Sequence, residues 1–128
     1  MKLLLDTHIV LWAAGQPEKL SKSVTSILTA EDNIPFFSVV SLWEMVIKRG
    51  LGRDDFRVDP RRLRKMLVIH GYFELPVDAE HVFAVETLPL IHKDPFDRLL
   101  LAQARSEGML LLTVDQALSR YGGSVLMG

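Results

Sequence analysis

The chain has no cysteine among its 128 residues. That removes disulfides, thiolate nucleophiles and thiolate-bound zinc and agrees with a reducing compartment, so any metal must be held by oxygen or imidazole. Long apolar runs are missing too. Nothing approaches the roughly 20 residues of a membrane-spanning helix, and the apolar start Met1–Leu5 meets Asp6 before a signal-peptide core could form. The expectation is a cytoplasmic protein with no membrane partner. Nor is there a surplus of positive charge. Fifteen Lys and Arg against sixteen Asp and Glu leave a formal charge of -1, so the total does not mark a strongly basic nucleic-acid binder.

What is present is apolar material, 48% of the residues, enough for a core and without the composition of a disordered chain. The length fits one domain, residues 1–128. Lys2–Leu5 is a short apolar run stopped by Asp6, and helical spacing follows from Thr7 to Ala14. Met109–Val114 repeats the pattern and stops at Asp115. Between them the spacing predicts helices over 21–30, 39–50, 61–70, 79–87 and 95–107, with strands at 34–37 and 73–77 and a terminal one at 124–127. Strands that alternate with helices and are apolar on both faces predict an α/β fold, a parallel sheet covered on each side.

Charge is unevenly spread. From Lys48 to Lys65 there are eight basic residues against three acids. The segment reads as a basic loop entering a helix, able to meet RNA phosphates or an acidic protein segment, or simply to face solvent. Lys48, Arg49 and Arg53 are its first candidates, and Arg98 is a further one, either for phosphate or for pairing with Asp94.

The acids carry the chemistry. In an open parallel sheet the working site lies beyond the carboxyl ends of the strands, and Asp6 and Asp115 both sit at such ends. Glu44 and Asp97 fall early in helices that follow a strand or loop, so four acids from distant segments can converge. Gathered carboxylates repel and raise one another's pKa unless a cation compensates. Mg2+, or Mn2+, prefers such oxygen ligands together with water and substrate phosphate. An ion of this kind acidifies water and polarises phosphoryl oxygens, which amounts to phosphodiester hydrolysis. Taken singly, each acid is more simply a helix cap or strand terminator. The threonines beside two of them, Thr7 and Thr113, shift the balance, because their hydroxyls can orient Asp6 and Asp115.

Leu3-Leu-Leu-Asp6-Thr7-His8, Ser41-Leu-Trp-Glu44, His92-Lys-Asp94-Pro-Phe-Asp97-Arg98-Leu-Leu and Leu112-Thr-Val-Asp115, in that order, resemble the motifs of PIN-domain ribonucleases. More closely they resemble the VapC-like toxins of type II toxin-antitoxin pairs. The resemblance spans essentially the whole chain. It matches the family's first to fourth acids to Asp6, Glu44, Asp97 and Asp115, with Asp94 an additional acid that serves as cap or outer ligand. It implies a three-layer PIN-like domain with a sheet of about five strands, a metal-dependent endoribonuclease that is the toxin of its pair, a homodimer, and a cognate antitoxin that occupies the active-site groove.

His8 and His92 adjoin proposed ligands but are left outside the catalytic set, and Trp12 and Trp43 are expected in core packing or a dimer interface rather than stacked on a base. Other readings compete. An aspartyl-nucleophile phosphatase would want a second Asp where His8 stands, and a response-regulator receiver would want an acidic pair at the first strand end. A catalytically inactive PIN-like module that binds RNA or protein would have no need of four intact acids. DNA in place of RNA is open to the same chemistry.

Overall fold

The structure, a computed structural model, describes residues Met1–Gly128. Strands β1 (Lys2–Leu5), β2 (Ile34–Ser38), β3 (Phe73–Leu75), β4 (Leu110–Thr113) and β5 (Val125–Met127) form one sheet in the order β3-β2-β1-β4-β5. Every pairing is parallel, with Leu3, Leu4 and Leu5 of the central strand opposite Leu110, Leu111 and Leu112. The chain runs outward from β1 to β3 and then crosses back to β4, so the strand order reverses beside β1, where α/β folds open a crevice for ligands.

Helices α1 (Thr7–Gly15), α2 (Lys22–Thr29), α3 (Val39–Gly50), α4 (Pro60–Ile69), α5 (Ala79–Ala84) and α6 (Pro95–Glu107) supply the connections. Successive side chains of a strand point to opposite faces, and the run of leucines in β1 serves both. Leu3 and Leu5 pack with Ile9, Val24, Phe37, Leu63 and Leu67, while Leu4 packs with Leu75, Leu100, Leu101 and Leu111. Helices α1, α2 and α4 therefore cover one face, and α5 and α6 the other. Helix α3 contributes to both, with Met45 in the first cluster and Val40 in the second. The expected α/β sheet of five parallel strands between two helical layers is thus the observed one. No helix is long and apolar enough to cross a membrane.

Each helix that matters for the site starts on a capped residue. Asp6 caps α1, Ser38 caps α3, and Asp94, followed by Pro95 at the first helical position, caps α6; such caps satisfy amide groups that a helix start leaves open. The end of α6 is set by Gly108, whose φ of 68° suits the left-handed turn into β4. Several boundaries differ from the expected ones, most of all at α5, which stops at Ala84 and passes into a 3-10 turn over Val85–Thr87. Strand β3 stops at Leu75, before Pro76, which has no amide to continue a ladder. After Asp115 the chain forms 3-10 turns over Gln116–Ser124, broken at Gly122.

Candidate active site

Asp6 leaves β1 with its backbone amide still paired to Leu112 O across the sheet, 2.9 Å. Its carboxylate is fixed from two sides. Thr113 Oγ1, at the end of β4, donates to Oδ2 at 2.7 Å, and the Thr7 amide donates to Oδ1 at 2.7 Å. Thr113 thus orients Asp6 rather than the Asp115 carboxylate, though its oxygen also accepts from the Asp115 amide at 3.0 Å. The Thr7 hydroxyl does something else than expected. It bonds Ser41 Oγ at 2.9 Å and so ties α1 to α3, while the Thr7 contact to Asp6 comes from the backbone.

Glu44 projects from the second turn of α3 and is only 3% exposed. Lys48, one turn later, meets its Oε2 at 2.5 Å. The other oxygen, Oε1, is the one buried side-chain polar atom without a hydrogen-bond partner. Asp97 lies in the first turn of α6, where His92 Nε2 approaches Oδ2 at 2.8 Å. Asp94 spends Oδ1 on the Phe96 and Asp97 amides, at 2.8 and 3.2 Å. Asp115 accepts from the Ala117 amide at 3.0 Å.

All five acids, Asp6, Glu44, Asp94, Asp97 and Asp115, line a single cavity of about 340 Å³. His8, Trp12, Lys48, His92 and Val114 complete its wall. The ligand atoms of His92, Asp94 and Asp97 lie within 4.8 Å of one another. Burial, opposed by the bonds from Thr113 and Thr7, holds Asp6 above the usual carboxylate range. Burial first, then the neighbouring Asp6, pushes Asp97 up to about 7, against the bond from His92 and with help from Asp94 and Glu44. A cluster so desolvated and self-repelling, with an orphaned carboxylate oxygen inside it, fits a hard cation that would take oxygen ligands.

Some expectations need correction. Arg98 faces away from the acids. Its guanidinium reaches Pro89 O, His92 O, Val85 O and the Tyr121 hydroxyl at 3.1–3.4 Å, pairing with neither phosphate-side space nor Asp94. One residue beyond Asp97 on a helix is about 100° around the axis, and there Arg98 pins the loop before α6 to its own helix. Trp43 is not a core residue: it is 51% exposed and meets Phe96 edge to face. Trp12 is partly buried against the first core cluster while also lining the acidic cavity. Arg49 and Arg53 do not line that cavity; they pair with Asp59 and Asp55 on the basic surface beside it. His92, left outside the catalytic set on sequence although it adjoins a proposed ligand, lines the cavity and reaches Asp97. It stands five residues before Asp97 across a loop, a separation with no periodic signal. Lys48 did leave one, the four-residue step from Glu44 that places two side chains on one helix face.

Comparison with known proteins bears on the same residues. The PIN domain family matches residues 3–124. No curated protein matches the chain. Among solved structures, VapBC2 from Rickettsia felis bound to a DNA fragment from its promoter is similar, with a TM-score of 0.69 and 18% identity over 100% of this chain and 98% of that one. The DNA-bound VapBC of Salmonella typhimurium gives 0.63 and 16% over 100% and 97%. FitAcB from Neisseria gonorrhoeae gives 0.64 and 16% over 98% and 96%. At these identities the likeness is one of fold.

Proposed function

The chain belongs to the PIN domain family, and on that premise we propose that residues 1–128 form a single nuclease domain, a hydrolase that cuts RNA internally with the help of Mg2+ or Mn2+. The observation that carries the reading is the cavity lined by five carboxylates, one of which, Glu44, keeps a buried oxygen without a partner. Asp6 and Asp97 would hold the ion, with Asp94 next to them and Glu44 and Asp115 on the flanks. Such an ion supplies a Lewis acid for the phosphoryl oxygens and lowers the pKa of water.

The chain's own residues do the rest. Thr113 and the Thr7 amide keep Asp6 aimed into the cavity, and His92 sets the rotamer of Asp97, as outer partners of ligands do. Near neutrality Asp97 is poised between its two protonation states. Cation uptake therefore displaces a proton from it, which makes affinity rise with pH through this range. The basic surface formed by Arg49, Arg53 and the first turns of α4 would receive the substrate backbone, where Arg62 and Lys65 have no acidic partner.

A role as the toxin of a toxin-antitoxin pair draws support from the similar folds, which come from VapBC assemblies. In this reading the chain works in the cytoplasm, forms a homodimer and is restrained by an antitoxin seated over the acidic cavity. The apolar side chains left exposed on α3, Trp43, Val46 and Ile47, with Leu51 just beyond, offer such partners a surface.

The test uses structured and single-stranded RNA, with DNA of the same sequences, incubated with the wild-type chain in Mg2+ or Mn2+ and again in EDTA. RNA cut only in the presence of metal supports the reading. Cutting that persists in EDTA overturns the metal site, cutting of DNA alone overturns the substrate, and binding without cleavage of any substrate would make the chain an inactive binding module.

A further inference from the structure

Lys48 is the only lysine or arginine that lines the acidic cavity. It is not a solvated side chain that happens to reach inward. Only 18% of it is exposed, and its ammonium sits on Glu44 Oε2. Two further sides face rings, with the Phe56 centroid at 4.9 Å and the Phe96 centroid at 5.7 Å. Those rings come from the 3-10 turn before α4 and from the start of α6. Three separate segments thus hold one cation, and aromatic faces stabilise a cation most where water is excluded.

Glu44 is divided by this contact. One oxygen is committed to Lys48 and the other has no partner. The carboxylates are divided as well. His92, Asp94 and Asp97 form a compact set of ligand atoms from which Glu44 is absent. An ion held by the carboxylates of that set together with Asp6 would leave Glu44 and Lys48 on its flank. Two-ion phosphodiester sites place their cations about 4 Å apart, one on each side of the phosphoryl group. A lysine ammonium provides one fixed positive charge and three donors, which suffices to steady charge on phosphoryl oxygens.

We propose that Lys48 is the second cation of this site: held on Glu44 between Phe56 and Phe96, it takes the place of a second divalent ion, so that each chain binds one Mg2+ or Mn2+. The inference rests on the metal-dependent reading given above. It also assigns Lys48 a position beside the scissile phosphate rather than along the distal RNA backbone.

Mn2+ uptake by the full chain, followed by the loss of the free-ion electron paramagnetic resonance signal, tests it without any substrate. The wild type and Lys48→Arg, which keeps a charge there, are expected to take up one Mn2+ per chain. Lys48→Met keeps the apolar stem against the two rings and is expected to take up two. Lys48→Gln should behave like Lys48→Met, so a folding defect in either one leaves the other to decide. Two ions per wild-type chain, or one ion in both uncharged variants, would overturn the proposal and leave the metal-dependent reading standing. No uptake by the wild type would overturn both.

Discussion

Helix α6 carries an acid and histidine group at each end. At its start are Asp94 and Asp97 with His92; at its end Glu107 meets His81, which Asp78 caps from the head of α5. Both groups hold two carboxylates and an imidazole with ligand atoms within 4.8 Å. At the far end every requirement is met. His81 Nδ1 accepts from the Asp78 amide at 3.1 Å, Nε2 donates to Glu107 Oε2 at 2.9 Å, and Gln103 bridges His81 to Ser38 Oγ and Pro76 O. At the near end, Asp6 and Glu44 crowd in behind Asp97, burial and repulsion push its pKa to about 7, and one buried oxygen stays unpaired. The same residue types tie β2, α5 and α6 together in one place and leave charge uncompensated in the other. Composition of a cluster says little about its use; the satisfaction of its atoms says more.

The largest expected effect falls on the unsatisfied end. Asp97→Asn removes a proposed ligand and should lower RNA cleavage by at least about a hundredfold, the scale on which single electrostatic groups act in catalysis. It should leave the ion-free fold no less stable, since it also removes a repelling charge. Cleavage rate and thermal melting measured on the same sample check both parts.

His81→Ala should do the reverse. It empties the space of a buried ring and takes one partner each from Gln103, Glu107 and the Asp78 amide, at a cost of about 2–4 kcal/mol in unfolding free energy by denaturant titration. Mn2+ affinity should not change. A weaker metal site in this variant would mean that the two ends are coupled, and the comparison would fail.

Thr113→Val tests the support beneath the site. It deletes the hydroxyl that holds Asp6 Oδ2 and should weaken Mn2+ binding by about ten- to a hundredfold in calorimetry, as losing an outer partner of a ligand does.

The smallest effect is on pH dependence. Asp97, raised to about 7 first by burial and then by Asp6, keeps a proton in the fold that the unfolded chain loses near pH 4. The stability linked to that proton is complete below about pH 4 and is lost as pH rises through 7. The ion-free melting temperature should therefore fall by a few degrees from pH 5 to pH 8, and saturating Mg2+ should flatten the decline. A melting temperature that climbs over that range would contradict the assignment.

Much of this was legible in the sequence, for a physical reason. Strands that end on an acid mark the carboxyl edge of a parallel sheet, so Asp6 and Asp115 announced their position, and the Asp94-Pro95 cap located the start of α6 and with it Asp97. What periodicity reports is which face of an element is apolar. It does not report which polar atom finds which partner across elements. Hence Thr7 was paired with the wrong oxygen, Arg98 was offered to phosphate though its donors are consumed by loop carbonyls and the Tyr121 hydroxyl, and of the two places expected for Trp43 the core is excluded, since it is half exposed against Phe96. The divided Glu44 belongs to the same class: a four-residue step predicts its bond to Lys48, but nothing local predicts that the second oxygen stays free.

The central claim is that charge left uncompensated at the near end of α6 belongs to a divalent cation. Crystals soaked in Mn2+ and measured for its anomalous scattering test this most directly. The expected result is a peak bonded to Asp6 and Asp97 in the acidic cavity and none at Asp78, His81 and Glu107. An empty acidic cavity, or a peak on the His81 group instead, would contradict it.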